Sequence, residues 1–309
     1  MFYITFENVL LCLMYIIPGY IVCKMKKASA SHLKTMSAVL IYGCSPCMIA
    51  NSFLKLEFSL ESLLNLSLFF LAVTVIQTAF MFGLYFIFRK KFENGKYRVI
   101  TVGSALGNLG YFGLPVIEAL FPGQPEVLGY ASVYVVSMNV ILFTVGVYLL
   151  TKRKDTITLK SAFINPATIG LVAGLFFYIS GLNKSLPENN ILFSCIGLLG
   201  KTTLPLSMII LGIRLATMKF KNIFLNKPAY VLSFGKLIIF PLFAYLLVVF
   251  LPLAQTIKAT VLVLSATPCA ASVMTMAELY GNEEEMSANS VMMSTLLSFI
   301  TIPLMTLLL

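Results

Sequence analysis

The chain has 309 residues, of which 59% are hydrophobic and 11% are charged. Soluble domains carry roughly 25% charged residues, so this composition excludes an ordinary soluble protein and indicates one that lies largely within a lipid bilayer. The formal net charge of +10 does not indicate a nucleic-acid partner, because the basic residues fall in short loops between apolar segments, where they are typical of membrane topology.

Ten apolar segments are long enough to cross a bilayer as helices, which takes roughly 20 residues each. These predicted spans, numbered 1 to 10, cover residues 2–22, 35–53, 62–88, 99–121, 127–150, 163–182, 190–212, 228–251, 258–280 and 288–308. The sequence therefore predicts an all-α integral membrane protein with ten transmembrane helices.

Basic residues predict the orientation of these helices. The loops after spans 1, 3, 5 and 7 each carry four or five lysines and arginines, whereas the other side has only Lys55, Lys184 and Lys258. By the positive-inside rule the first set of loops is cytoplasmic. Both termini are then expected outside a bacterial-type inner (plasma) membrane.

Span 4 is interrupted by a run that does not suit a continuous membrane helix. Residues 107–115 read GNLGYFGLP, with glycines that permit unusual dihedral angles and a proline that lacks a backbone donor. A freed backbone at bilayer depth is tolerated only where it lines a cavity or binds something. The residues predicted to bind substrate here are Gly107, Asn108, Gly110, Tyr111, Gly113 and Pro115.

Span 9 is interrupted about 160 residues later, where residues 267–272 read TPCAAS. Paired interruptions at matching places in two halves of a chain are typical of the binding site of a secondary transporter. The residues predicted to bind substrate here are Thr267, Pro268, Cys269, Ala270 and Ser272. The alternative is a pair of kinked helices whose small residues only permit close packing.

The two halves of the chain, residues 1–154 and 155–309, hold five predicted spans each. Because five is odd, the second half must be inserted upside down, which predicts two inverted five-helix repeats. Glu118 and Glu278 correspond between the halves and fall at the outer end of span 4 and the inner end of span 9, as inversion requires.

The broken spans favour an anionic substrate. The N-termini of the half-helices would direct partial positive charge into the cavity, and the Asn108 amide could bind a carboxylate or a coupling cation. Lys201 and Lys236 are the basic residues predicted near the middle of the bilayer. Each could have a functional role, binding the anion or taking the place of a sodium ion. The alternative is a structural role, in which the side chain snorkels to the interface or forms an ion pair. Glu118 and Glu278 would be interfacial anchors or proton carriers.

Little in the sequence favours an enzyme, a metal or a cofactor. His32 is the single histidine and lies in a basic loop, and the Cys44–Cys47 pair lies inside span 2 without a partner pair. No Walker, G-x-S-x-G or H-E-x-x-H motif is present, so ATP-driven transport and intramembrane hydrolysis lack their machinery.

Several stretches together resemble the auxin efflux carrier family, which holds plant auxin exporters and bacterial malate or malonate permeases. They are GNLGYFGLP at 107–115, PLSM at 205–208 with LG at 211–212, the segment 268–277 followed by YG at 280–281, STLLS at 294–298 with IPL at 302–304, and YGCSP at 42–46. Lys201 departs from the family pattern, in which a neutral residue is expected, and this leaves the coupling mode open.

The resemblance implies that spans 4 and 9 cross at their breaks. It implies a scaffold domain from spans 1, 2, 6 and 7, a transport domain from spans 3–5 and 8–10 that moves like an elevator, and a homodimer. We therefore expect a secondary transporter of a small organic anion, a mono- or dicarboxylate such as malate, with H⁺ or Na⁺ as possible coupling ions. The alternatives are a sodium-coupled symporter of larger amphipathic anions and a membrane sensor that binds ligand without moving it.

Overall fold

The computed structural model describes residues 2–157, 159–185, 190–218, 220–281 and 283–309, and these contain helices but no β-strand. The helices are α1 (Phe2–Lys24), α2 (Ala30–Leu54), α3 (Leu60–Lys91), α4 (Gly95–Ala105), α5 (Leu109–Leu120), α6 (Pro125–Thr151), α7 (Leu159–Phe163), α8 (Pro166–Ser180), α9 (Leu182–Ser185), α10 (Ile191–Thr217), α11 (Phe220–Leu225), α12 (Lys227–Val249), α13 (Gln255–Ser265), α14 (Ala271–Leu279) and α15 (Glu284–Leu308).

Seven of these helices are long and apolar enough to cross a membrane: α1, α2, α3, α6, α10, α12 and α15. The other three predicted spans have a different form. Spans 4 and 9 are each divided into two helices, α4 with α5 and α13 with α14, and span 6 corresponds to the fifteen-residue helix α8. The chain is an all-helical multi-pass membrane protein, and the count of ten spans stays a prediction.

Apolar side chains cover the outside of the helices. Ile191 is 86% exposed, Phe250 84% and Tyr42 74%, and exposed large apolar residues occur along most of the long helices. Such a surface would be an aggregation hazard in water but suits contact with lipid tails. The helices differ in depth within the protein: 67% of the apolar window of α6 is buried, against 22% of that of α1.

The contacts between helices fall mainly into two groups. In the first, α1 packs along α10, and the second half of α2 packs against α8 and α10. In the second, α3 packs against α6, α12 against α13 and α15, and α4 against α3 and α12. Helix α1 also contacts α15, so the groups touch. The division into a scaffold domain and a transport domain remains a prediction.

The contact between α1 and α10 depends on two glycines. A Cβ atom at Gly212 would collide with the backbone carbonyl of Ile16, and one at Gly19 with the carbonyl of Ile209. In a membrane, where no hydrophobic effect drives helices together, small residues allow the close backbone approach that van der Waals packing needs.

We predict that Gly212→Ala lowers the melting temperature of the detergent-solubilised protein, because forcing a methyl group into packed backbone costs about 1–3 kcal/mol. Differential scanning fluorimetry measures this. The matched control is Gly83→Ala, since a Cβ at Gly83 would meet no atom within 4 Å. Equal melting temperatures for the two variants would contradict the proposed packing.

Candidate functional site

The two helix breaks meet and pair through their backbones. Gly107 and Cys269 form an isolated antiparallel bridge. The N–H of Asn108 donates to the carbonyl of Pro268 at 2.7 Å, and the N–H of Ala270 donates to the carbonyl of Leu106 at 3.1 Å. The ends of α4 and α13 and the starts of α5 and α14 therefore converge at one point.

The first break is shorter than the sequence indicates. It covers residues 106–108, and a π-helical turn over Leu109–Gly113 continues directly into the α-helix that begins at Leu114. Gly110, Gly113 and Pro115 thus lie within α5 rather than in unwound chain. Pro115 is accommodated because it occupies the first turn of that α-helical segment, where a missing N–H is tolerated.

The second break is also shorter than expected. It ends at Ala270, and Ser272 belongs to the first turn of α14. Cys269 is held in place from the side, because its N–H donates to the Oγ of Ser294 on α15 at 3.1 Å. Thr267 closes the end of α13, with its Oγ1 donating to the carbonyl of Leu264 at 2.7 Å.

The half-helices α5 and α14 begin at the crossing and carry unpaired donors there. Four backbone N–H groups, two at the start of each helix, have no acceptor among the described residues: those of Gly110, Tyr111, Ala271 and Ser272. Unpaired N–H groups and the helix dipole give each start a partial positive charge. Together the two starts form a place where an anion would be stabilised.

Lys236 lies behind the crossing and is 0% exposed. It belongs to a π-helical turn of α12, and its Nζ donates to the carbonyl of Ser265 at 2.5 Å and lies 4.6 Å from the centre of the Phe240 ring. No carboxylate forms an ion pair with it in the described part of the chain. An ammonium group so placed would be partly solvated by a carbonyl and a ring, and no counter-ion lies beside it among the described residues.

Gly107 is the point of closest approach between the break and this lysine. A Cβ on Gly107 would overlap the Thr267 Oγ1 and would lie 3.0 Å from the Lys236 Nζ. Only a residue without a side chain allows the two chains and the ammonium group to come together here.

The accessible face of the crossing carries other groups. Asn108 and Ser272 are half-buried, and the side-chain amide of Asn108 has no hydrogen-bond partner among the described residues. Tyr111 packs beside Leu40 of α2 and Ile210 of α10. The predicted site residues thus divide into a buried layer that holds the crossing and a half-exposed layer that a ligand could contact.

Lys201 occupies a different place from Lys236. Its side chain is exposed and lines a cleft of about 120 Å³ between α2, α5 and α10, rather than being buried near the crossing. Polar and small residues of this cleft are Asn51, Ser52, Pro115, Glu118, Gly200 and Lys201. Glu118 is exposed on the α5 side of the cleft, and Glu278 is exposed at the end of α14.

Sequence reasoning gave no site role to several residues that shape the site, although Ser294 lies in the STLLS stretch that resembles the family. The carbonyl of Ser265 accepts a hydrogen bond from Lys236, and the Oγ of Ser294 accepts one from the N–H of Cys269 in the second break. The hydroxyl groups of Tyr134 and Ser265 are hydrogen-bonded to each other at 3.0 Å. The polar run SANSVMMSTLLS at residues 287–298, inside an apolar span, was a signal that could have identified Ser294. Within the described residues, no group of three or more His, Cys, Asp or Glu side chains could hold a metal ion.

Comparison with known proteins identifies similar chains. A family whose description is "Membrane transport protein" matches residues 4–161 and again residues 153–306. An uncharacterized transporter of Methanocaldococcus jannaschii is 25% identical over 311 residues, and the match covers 97% of both chains.

We predict that Gly107→Ala loosens the crossing, because its Cβ would push against Thr267 and Lys236. Hydrogen–deuterium exchange should then speed up roughly ten-fold or more at the amides of Asn108 and Ala270, as expected for a local destabilisation of 1.4 kcal/mol or more. Gly110→Ala is the matched control, since the nearest atom to its Cβ would be the Met48 Cε at an ordinary 3.6 Å. The same exchange rates in both variants would show that Gly107 is not the point of closest approach.

Proposed function

The chain belongs to the membrane transport protein family, and from that membership we propose that it is a secondary active transporter of a small organic anion. This family is that of the auxin efflux carriers, whose motifs the sequence resembles, so the resemblance is confirmed, and the chain is a membrane transporter. The proposed substrate is a mono- or dicarboxylate such as malate.

The main support for this proposal is that the two helix breaks pair with each other beside backbone N–H groups that have no acceptor among the described residues. The N–H groups at the starts of α5 and α14 and the free amide of Asn108 all act as donors towards one small region. A carboxylate is an acceptor with two oxygens, and hydrogen bonds to a charged acceptor are roughly twice as strong as neutral ones. The donors therefore match a carboxylate better than they match a neutral or cationic solute.

Alternating access would follow from the grouping of the helices. In the proposed elevator, the crossing is carried by the helices of spans 3–5 and 8–10 and moves against a scaffold of spans 1, 2, 6 and 7. The tight contact of α1 with α10 and of α2 with α8 and α10 supports a rigid scaffold. Two inverted repeats, a homodimer and an inner-membrane location with both termini outside complete the proposal.

The position of the Lys236 side chain is an argument for transport that does not require sodium. Its ammonium group lies against the carbonyl of Ser265 and close to the Thr267 hydroxyl, and oxygen atoms of this kind are sodium ligands in other proteins. A tethered cation at this place would neutralise the charge of a bound anion from behind the crossing. The need for a co-transported cation would then disappear, in contrast to a sodium-coupled symporter of amphipathic anions.

We predict that Asn108→Ala lowers uptake of the transported carboxylate into proteoliposomes roughly ten- to hundred-fold, the loss expected for one hydrogen bond to a charged group. A panel of radiolabelled carboxylates with imposed pH and sodium gradients identifies the substrate first. Asn8→Ala is the control, because among the described residues the side chain of Asn8 bonds only its own helix, through the carbonyl of Ile4. Full uptake by Asn108→Ala would contradict the proposed site, and ligand binding without any uptake by the wild type would favour a sensor.

We predict that wild-type binding of the carboxylate is independent of sodium and that Lys236→Met abolishes it, because the bound anion then lacks its tethered cation. Calorimetry with and without sodium measures both effects. Lys258→Met is a matched control, since Lys258 also donates to a backbone carbonyl, that of Val249 at 2.7 Å. Strict sodium dependence of the wild type, or unchanged affinity in Lys236→Met, would give Lys236 a structural role only.

A further inference from the structure

One face of helix α10 is directed towards the two half-helices. Ser207, Ile210 and Arg214 follow each other at spacings of three and four residues, which places them on one side of the helix. The Oγ of Ser207 donates to the carbonyl of Tyr111 at 3.4 Å, and Ile210 packs beside the same tyrosine. Arg214 contacts the second half-helix, since its Nη1 donates to the Sδ of Met274 on α14 at 3.4 Å. The face therefore meets both α5 and α14 in their first turns.

The Arg214 guanidinium group has donors that the protein does not use. Its side chain is half-buried, unlike those of Lys24 and Lys27 in the first basic loop, which are exposed. A guanidinium group carries five N–H donors, and a thioether sulfur is only a weak acceptor. No ion pair involves Arg214 in the part of the chain that the structure describes, and Glu278, one turn beyond Met274, is exposed. The remaining donors are thus available to a ligand.

The guanidinium group lies close to the start of α14. Met274 is three residues after Ala271, the first residue of α14, which is about 4.5 Å along the helix axis. The backbone N–H groups of Ala271 and Ser272 are two of the four at the crossing that lack an acceptor among the described residues. Side chains of a helix lean towards its N-terminus, so Met274 leans towards these donors and Arg214 towards the level of Ser207. Two places that suit an acidic group therefore lie about one helical turn apart.

This spacing matches a substrate with two acidic groups. The carboxylate carbons of a four-carbon dicarboxylate are separated by three C–C bonds of about 1.5 Å each, so they lie about 4 Å apart in an extended chain. One carboxylate would bind the N–H groups at the start of α14 while the other accepts hydrogen bonds from Arg214. A guanidinium group suits that role because its planar fork bonds both oxygens of a carboxylate. A monocarboxylate would use the first place only.

We propose that Arg214 is a specificity-determining residue that binds the second carboxylate of a dicarboxylate substrate, whereas the crossing binds the first. The inference rests on the proposed transport of a small organic anion and narrows it from mono- or dicarboxylates to dicarboxylates. Arg214 belongs to α10, which the proposed elevator assigns to the scaffold. The substrate therefore bridges the crossing and the scaffold in the state described here.

Matched pairs of ligands test this role of Arg214. The purified full chain in nanodiscs is titrated by calorimetry with malonate, succinate and malate, and with the half-amide of each, in which a neutral amide of similar shape replaces one carboxylate. The wild type should bind at least one dicarboxylate about ten-fold or more tightly than its half-amide, the effect expected of a hydrogen bond between charged groups. Arg214→Gln should remove this difference by weakening the dicarboxylate, with the affinity for the half-amide unchanged.

Two further variants separate a role in binding from effects on folding or on net charge. Arg214→Lys keeps the charge without the planar fork, so it should recover only part of the preference for the dicarboxylate. Lys24→Gln is the matched control, because Lys24 also lies at this end of α10, where its Nζ donates to the carbonyl of Ala216 at 3.2 Å. This control should keep the full preference of the wild type. Normal binding of the half-amide shows that a variant retains the crossing.

Equal affinity of the wild type for every dicarboxylate and its half-amide would overturn the role of Arg214 and leave a monocarboxylate transporter. An Arg214→Gln variant that weakens both ligands of a pair equally would also overturn it, because such a loss would come from the structure of the crossing. Binding of none of these compounds would contradict the proposed carboxylate function itself, and the role of Arg214 with it.

Discussion

The two backbone hydrogen bonds between the helix breaks are the constraint on which the rest of the structure depends. Interrupting two helices inside a bilayer frees N–H and C=O groups, each of which would cost several kcal/mol if left unpaired in lipid. Asn108 and Ala270 satisfy part of this need by bonding the opposite break. The pairing brings the starts of α5 and α14 to one point and leaves further donors there. Those remaining donors are what makes the crossing suitable for an anion.

Charge is distributed around the crossing in a way that suits an anion moving between two sides. Lys236 is buried behind the paired breaks and has no carboxylate partner in the part of the chain that the structure describes, whereas Lys201 and Arg214 lie along α10 at two different levels. The buried cation would act on the bound substrate.

The sequence predicts the crossing better than it predicts its details. Glycine and proline in an apolar run identify both breaks, and the distance of Lys236 from the basic loop predicts a buried lysine. The extent of the first break could not be predicted, because the π-helical turn at Leu109–Gly113 absorbs glycines that suggest unwound chain. The exposure of Lys201 and the contact of Arg214 with Met274 depend on how distant helices face each other, which local sequence does not encode.

The position of a bound carboxylate in an experimental structure tests the central claim most directly. In a crystal or cryo-electron microscopy structure of the protein with its transported carboxylate, we expect the anion within hydrogen-bond distance of the Asn108 amide. It should also lie within hydrogen-bond distance of the N–H groups in the first turns of α5 and α14. Lys236 should remain buried on the opposite side of the paired breaks. A carboxylate bound only in the Lys201 cleft, with the crossing empty, would contradict the claim that the paired breaks form the substrate site.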